Sequence, residues 1–497
     1  MELATTPEKE PIPEGKAWPQ YLAAGLGSLT MLCTGTVLSW ASPGLPHLRR
    51  GDNTSAGLSG EQASWVGAAT PLGAVAGSLC AGRLADILGR RNLLLLLAAP
   101  YLLGWALVAL AGFRAPLLCA GRLVSGLSTG VATVALAIYS EEISEVRVRG
   151  RLGCLLDFMI ATGFLVFYVL QSCLGLGLAT AICAATPVVF FCSFVWMPES
   201  PVHLLRRGQD ARAAEALGFL RGAGHDVAPE LCAMRDYLDD KFSVEGPDAR
   251  RVQDCLFRRG VGGGGGSNTA AAARISIGLA VVAQLTGIQP VNYNTVDIFR
   301  RGRSSVDADT ADMIYSSGQC LAALAALLLV DSLGRRVVLL TSAAGMLLSA
   351  LLLCAHSSLE DSDGYIARFG WVPCFAVSTF TASNGFGLGP VPWFVMAELS
   401  PAEAKGWISS TCVCVSWAFQ FATAKMYSVM TAGLGDALTF AVFAATSLLA
   451  VVFVALCVPE TRGKTRAQIQ RELQARARGG CSWWRPPGPQ RVVEASA

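Results

Sequence analysis

The chain alternates between long apolar stretches and short charged connections. Tyr21–Ala41, Leu93–Gly112, Ala179–Met197, Val337–Ala355 and Ala437–Val458 carry no charge except at their edges. Each is about long enough to cross a hydrocarbon core of roughly 30 Å. Stretches of this kind predict twelve helices, near 20–42, 62–82, 93–112, 116–140, 151–172, 174–197, 273–293, 311–331, 337–355, 368–393, 404–430 and 435–457. A polar stretch from 203 to 272 separates the first six from the last six. Within it, Gln209–Leu220 places Ala213, Leu217 and Leu220 on one helical face, and Pro229–Phe242 repeats the pattern with Leu231, Met234, Tyr237 and Leu238. The run Gly262–Gly266 follows and reads as a flexible hinge, because five glycines lose much entropy in any fixed backbone. A phosphate loop is disfavoured there: no Gly-Lys-Ser/Thr follows and no strand precedes.

The charged connections repeat. Asp86-Ile-Leu-Gly-Arg-Arg91 returns in skeleton as Asp331-Ser-Leu-Gly-Arg-Arg336, at matching places in the two halves. Glu142 stands seven residues before Arg149-Gly150, and Glu398 seven before Lys405-Gly406. Pro198-Glu199-Ser200 returns as Pro459-Glu460-Thr461. Three pairs in the same order argue for a duplicated membrane protein, and duplicated halves that rock about a central site are a common transporter design.

Composition supports the membrane reading, since 53% of residues are apolar and only 15% charged. The N-terminal tail Met1–Lys16 is rich in Glu and Pro and has no apolar core, so the first helix itself is expected to direct insertion. A net charge of +3 gives no indication of nucleic acid as a partner. Sixteen cysteines are scattered without a CxxC pair, Cys412-Val-Cys414 being the closest spacing, so neither a disulfide framework nor a metal site is expected. The connections at 83–91, 147–151 and 335–336 hold eight arginines, with Lys405 and the Arg-rich tail 462–478 on the same side. The opposite loops also contain Arg49, Arg50, Arg114, Arg300, Arg301 and Arg303, yet the bias favours cytoplasmic termini. The sequon Asn53-Thr-Ser55 falls on the other side, as a glycosylation site would. A helix over Arg466–Arg478 and a disordered end complete the expected tail.

Charges at membrane exits are costly unless paired. Asp86, Arg90, Arg91, Glu142, Arg149 and Glu199 in one half, and Asp331, Arg335, Arg336, Glu398, Lys405 and Glu460 in the other, therefore predict one pairing set per half. Such sets can latch the cytoplasmic side when the halves close. A single pair contributes on the order of 1 kcal/mol or less where water reaches it, but a set can shift a two-state equilibrium. The alternative is that the arginines only fix topology.

Gly82-Arg-Leu-Ala-Asp-Ile-Leu-Gly-Arg-Arg91, Gly121-Arg122, Pro198-Glu-Ser-Pro201, Gln284-Leu-Thr-Gly-Ile288, Gly389-Pro-Val-Pro-Trp393 and Pro459-Glu-Thr-Arg-Gly463 resemble the sugar porter family of the major facilitator superfamily, over about residues 20 to 465. The first helix, with Gly35-Thr-Val-Leu-Ser-Trp-Ala-Ser-Pro43, is most similar to the arthropod facilitated trehalose and glucose transporters. The resemblance implies an all-α polytopic membrane protein, with twelve transmembrane helices in two pseudo-symmetric six-helix halves. It divides the chain into a cytoplasmic tail (1–19), an N-terminal bundle (20–197), a cytoplasmic helical linker ending in polyglycine (198–272), a C-terminal bundle (273–458) and a second tail (459–497). It further implies alternating access to a sugar site midway through the membrane.

A polyol site calls for neutral groups that both donate and accept hydrogen bonds. The seventh span supplies Gln284, Thr286, Gln289, Asn292 and Asn294, with Tyr293 among them, and the Gly287/Pro290 pair should loosen the helix there. Helix–helix hydrogen bonding is the alternative use of these amides. By the resemblance, Gln284 matches the second of two sugar-binding glutamines, the first being Ala283, and Gln289 stands where the family has asparagine. Trp393 and Trp417 match the two family tryptophans, although Ser416 replaces the asparagine before the second. Gln319 joins the candidate set, Asn384 lies beside Gly385 where a glutamate is common, and Asp157 replaces a glutamine. The Asp157 carboxylate, eight residues into a span, can bond substrate hydroxyls, carry a proton or make a structural contact.

The expected function is sugar transport by facilitated diffusion through the plasma membrane, an internal membrane being the alternative. A proton-coupled sugar or polyol symporter, with protons as second cargo, and a non-transporting sugar sensor also fit. An enzyme is not expected, since there is no triad, metal cluster or nucleotide loop, and His47, His203, His225 and His356 are dispersed. No cofactor is implied.

Overall fold

The computed structural model describes residues 15–50, 57–222, 224–244, 264–359, 365–401 and 405–462, with 468–469 and 472–473 in the C-terminal tail. Asn53 and most of the expected tail helix lie outside these residues. Among the described residues nine helices are long and apolar enough to cross a bilayer. Two of them, Arg147–Phe194 with 48 residues and Trp407–Cys457 with 51, are too long for a single crossing. At about 1.5 Å per residue they would span about 70 Å or more, against a core of about 30 Å. Each contains one glycine with a backbone no helix adopts, Gly175 at φ 78°, ψ 165° and Gly435 at φ 80°, ψ 170°. A residue with a Cβ is strained at that φ, so glycine marks both turns.

Dividing the two long helices at these glycines turns nine spans into eleven. The twelfth is the interrupted tenth span, built of Val372–Ser383, a π-helical turn Asn384–Leu388 and Val391–Leu399. A single wide turn is a common device where a helix bends beside a functional site. The tenth span therefore reaches Leu399, beyond the expected 393, and the sixth ends at Phe194, short of the expected 197. Twelve spans place both ends of the membrane portion on one face.

Backbones approach closely where glycine lines the contact. A Cβ on Gly73 would sit 2.2 Å from the Leu123 carbonyl oxygen, and one on Gly126 2.1 Å from that of Thr70, which joins the second and fourth spans without intervening side chains. Between the halves, Ser200 caps the short helix Pro201–Arg206. The next helix, Asp210–Arg221, buries Ala213, Leu217 and Leu220. Arg221, also buried, donates to Glu230 at 2.9 Å and to the Ile143 carbonyl at 3.1 Å, tying the linker to the end of the fourth span. The N-terminal segment joins this contact, with Gly15 N donating to Glu145 at 3.0 Å and Lys16 N to the Arg221 carbonyl at 2.8 Å. The seventh-span helix begins at Gly264, inside the glycine run expected to be a hinge. Three glycines cost a helix about 1 kcal/mol each relative to alanine, a penalty the anchored remainder of Gly264–Leu285 can offset.

Candidate functional site

The repeated charged connections fold into the same construction twice. Gly89 and Gly334 each take φ 93°, ending one helix so that the next can start at once. The backbone N–H groups that open the next helix meet a carboxylate from the end of the half. Glu199 accepts from Arg90 N at 2.9 Å and Arg91 N at 3.0 Å, and Glu460 from Arg335 N and Arg336 N at 3.1 Å. An anion at a helix start neutralises the dipole and occupies orphan donors. The first arginine of each motif turns inward. Arg90 forms a two-point bridge to Glu142, Nε–Oε2 2.9 Å and Nη2–Oε1 3.0 Å, and Arg335 Nη2 reaches Glu398 Oε1 at 3.3 Å. The second arginine turns back, Arg91 onto the Val195 carbonyl and Arg336 onto that of Ala455.

These bonds run within each half rather than across the seam between halves. Asp86 adds an exposed contact to Arg90 at 3.0 Å. Arg149 meets the Ser144 carbonyl at 3.3 Å and Glu141 at 4.0 Å, while Arg90 holds the Glu142 carboxylate. The side chains of Asp331 and Lys405 lie outside the described residues. His203, buried beside this cluster, accepts at Nδ1 from Arg90 Nη1 at 2.9 Å, so its other ring nitrogen carries the proton. Burial, with the Arg90 cation next to it, holds its pKa below the usual range.

Midway through the fold the seventh span breaks twice, at Gly287, which is left-handed at φ 87°, and at Asn294. Gly287 abuts the Phe443 ring, where a Cβ would come within 2.5 Å. Among the described residues the buried amide oxygens of Gln284, Gln289 and Asn292 have no hydrogen-bond partner, and Gln319 of the eighth span presents a fourth. Asn294 differs, because its amide donates to the Pro290 carbonyl of its own helix at 2.9 Å. The neighbouring Tyr293 hydroxyl is held by Gln420 at 2.7 Å. Trp393 is half-buried and Trp417 buried.

Asn384 opens the π-helical turn, and its carbonyl accepts from Gly389 N at 2.8 Å. A Cβ on Gly385 would lie 3.1 Å from the Gln319 carbonyl oxygen and 3.4 Å from its Cγ, so the glycine lets the tenth span close against that glutamine. Asp157 lies half-buried in the fifth span, and no described cation pairs with it.

Further from the charged clusters the halves meet along a second, polar seam. Arg49 and Asp297 form an ion pair at 3.0 Å, the Ser42 and Thr295 hydroxyls are 2.6 Å apart, and Tyr315 donates to Tyr168 at 2.8 Å. Gln171 donates to Asp309 at 3.3 Å. None of these is evident from sequence, because partners stand 138 to 253 residues apart and belong to no repeated motif. Arg122 is likewise enclosed, its Nη1 on the Val37 carbonyl at 2.5 Å and its guanidinium 5.4 Å over the Trp40 ring.

A family model described as sugar (and other) transporter matches residues 39–473. The facilitated trehalose transporter Tret1-2 homolog of Drosophila simulans is 33% identical over 459 residues, covering 92% of this chain and 91% of that protein. The facilitated trehalose transporter Tret1 of Culex quinquefasciatus is 31% identical over 474 residues, covering 95% and 89%. Among solved structures, the proton:xylose symporter XylE bound to 6-bromo-6-deoxy-D-glucose superposes with a TM-score of 0.72 at 19% identity, over 92% of this chain and 99% of that one, a likeness of fold.

Proposed function

The chain belongs to the sugar transporter family, with the twelve-helix fold of the major facilitator superfamily, and on that premise we propose that it carries a trehalose-like sugar or a hexose downhill by alternating access. The observation that carries this reading is the set of unpartnered buried amide oxygens on Gln284, Gln289, Asn292 and Gln319. A buried amide left unpaired costs about 1–3 kcal/mol, and a polyol hydroxyl is a donor of the right size to remove that cost. Asp157, Asn384, Trp393 and Trp417 complete the proposed sugar site, and Asn294 serves it by shaping the break in the seventh span. The relatives named for facilitated trehalose transport support the cargo class.

The face bearing the repeated arginines is the cytoplasmic one in this reading, with both termini there, and the plasma membrane is the proposed location. Residues 20–197 and 273–458 form the two rocking bundles, and 198–272 the cytoplasmic linker. Arg90, Glu142 and Glu199, with Arg335, Glu398 and Glu460, keep the helix ends of each bundle rigid, so that the bundles close as units. Asp86, Arg91, Arg149, Asp331, Arg336 and Lys405 belong to the same two sets. Asn53 is the proposed glycan acceptor on the outer face. Asp157, a carboxylate with no cation partner among the described residues, favours one second reading, coupling to a proton, which transport measured at several pH values with Asp157→Asn alongside would expose. Uptake of radiolabelled glucose, fructose, trehalose and inositol by purified protein in liposomes tests the cargo. Binding of sugar without uptake would replace the carrier by a sensor.

A further inference from the structure

The polar seam away from the charged clusters encloses a carboxyl that the amide site does not use. Asp312, near the start of the eighth span, is fully buried. Among the described residues neither of its oxygens makes a hydrogen bond of good geometry, although the Thr295 hydroxyl lies against it. The described groups that act on it are uncharged or negative. Thr295 comes from the seventh span, Tyr168 from the fifth and Cys374 from the tenth. Its own helix contributes Tyr315, and Asp309 one turn earlier, held by Gln171. Arg49 and Arg301 are held elsewhere, by Asp297 and Asp436. Thr295 in turn bonds Ser42 of the other half, so the carboxyl sits behind a contact that forms only when the seam is shut.

We propose that Asp312 is a proton-binding site that sets the closure of this seam. An ionised carboxylate sealed among hydroxyls and a second acid is strongly disfavoured, so closing takes up one proton from the solution on that face, and reopening returns it there. Water reaching the open seam removes that penalty. The ratio of closed to open seam then rises about tenfold for each pH unit of acidification, until the open state itself protonates. Which solution supplies the proton follows from the orientation proposed above. The seam itself is independent of cargo.

Hydrogen exchange followed by mass spectrometry, on protein in lipid nanodiscs without sugar, tests this. The segments are 41–50, 293–301 and 308–316, compared between the parent and Asp312→Asn at pH 5.5 and 7.5. At pH 7.5 the variant, a mimic of the protonated acid, should exchange more slowly in all three segments, and at pH 5.5 the gap between the two proteins in the ratio of closed to open seam should be about 100-fold smaller. Asp312→Ser provides the same comparison if the asparagine variant is not monodisperse. Equal exchange at pH 7.5, or one unchanging difference at both pH values, overturns the proposal. So does protection that follows sodium rather than choline at fixed pH, which would assign a metal ion to the carboxyl. None of these outcomes depends on whether sugar is carried.

Discussion

Replacing Glu199 and Glu460 by glutamine, singly and together, probes the doubled charged construction quantitatively. Each carboxylate receives two backbone N–H bonds across a helix junction, at 2.9 and 3.0 Å in the first half and 3.1 Å twice in the second. Each also accepts locally, Glu199 from Ser200 N at 2.9 Å and Glu460 from Thr461 N at 3.0 Å. Glutamine keeps an acceptor oxygen but loses the charge, which roughly halves each of the two junction bonds, at about 1 kcal/mol apiece. Loss of the anion at the helix start adds about 0.3–1 kcal/mol. Each substitution should therefore destabilise its half by about 2–3 kcal/mol. The two sites share no partner and lie in different halves, so the double variant should lose about 4–6 kcal/mol. Reversible unfolding by SDS in mixed micelles measures this. A loss below about 0.5 kcal/mol in either single variant would refute the capping argument, as would a double variant no weaker than one single.

Three further expectations follow from the site and the linker. Gln284→Leu and Gln289→Leu should each reduce sugar uptake about 10- to 100-fold while leaving stability unchanged or raised, because each removes a buried amide oxygen without a partner; a loss of stability would instead mark a structural amide. Gly385→Glu should lower uptake at least tenfold, since its Cβ already meets the Gln319 carbonyl at 3.1 Å and a longer side chain must displace that glutamine; unaltered uptake would show that Gln319 does not touch the cargo. His203 is held below its usual pKa by burial and the Arg90 cation, so the unfolded chain binds a proton first. Stability should then be flat above pH of about 6.5 and fall as the pH drops below it, and His203→Gln should abolish that fall.

The spans were legible because about twenty apolar residues without charge admit few other structures. The duplicated Gly-Arg-Arg turns were legible because a repeat fixes matching positions before any contact is known. What sequence left open was direction. Arg90 meets Glu142 from 52 residues away inside its own half, and nothing in the spacing states whether a charged pair closes within a half or between halves. Asn294 reads as one more amide in a polar cluster, yet it bonds its own helix, a choice set by the break at that residue. Asp312 was hidden differently. It follows the cap Asp307 and the first-turn Asp309, and acids near a helix start ordinarily face water and favour the dipole. Packing of the fifth, seventh and tenth spans around it turns it into a buried group.

In the proposed mechanism the amides of the broken seventh span and Gln319 hold a sugar that the two halves then pass across the membrane. Counterflow measures this most directly, in liposomes containing the purified protein and preloaded with unlabelled trehalose or glucose, with the labelled sugar added outside. Label should accumulate transiently for at least one of the two sugars, and the Gln284→Leu, Gln289→Leu double variant should abolish the accumulation. Accumulation that survives the double variant, or none for either sugar from protein that binds them, would contradict it.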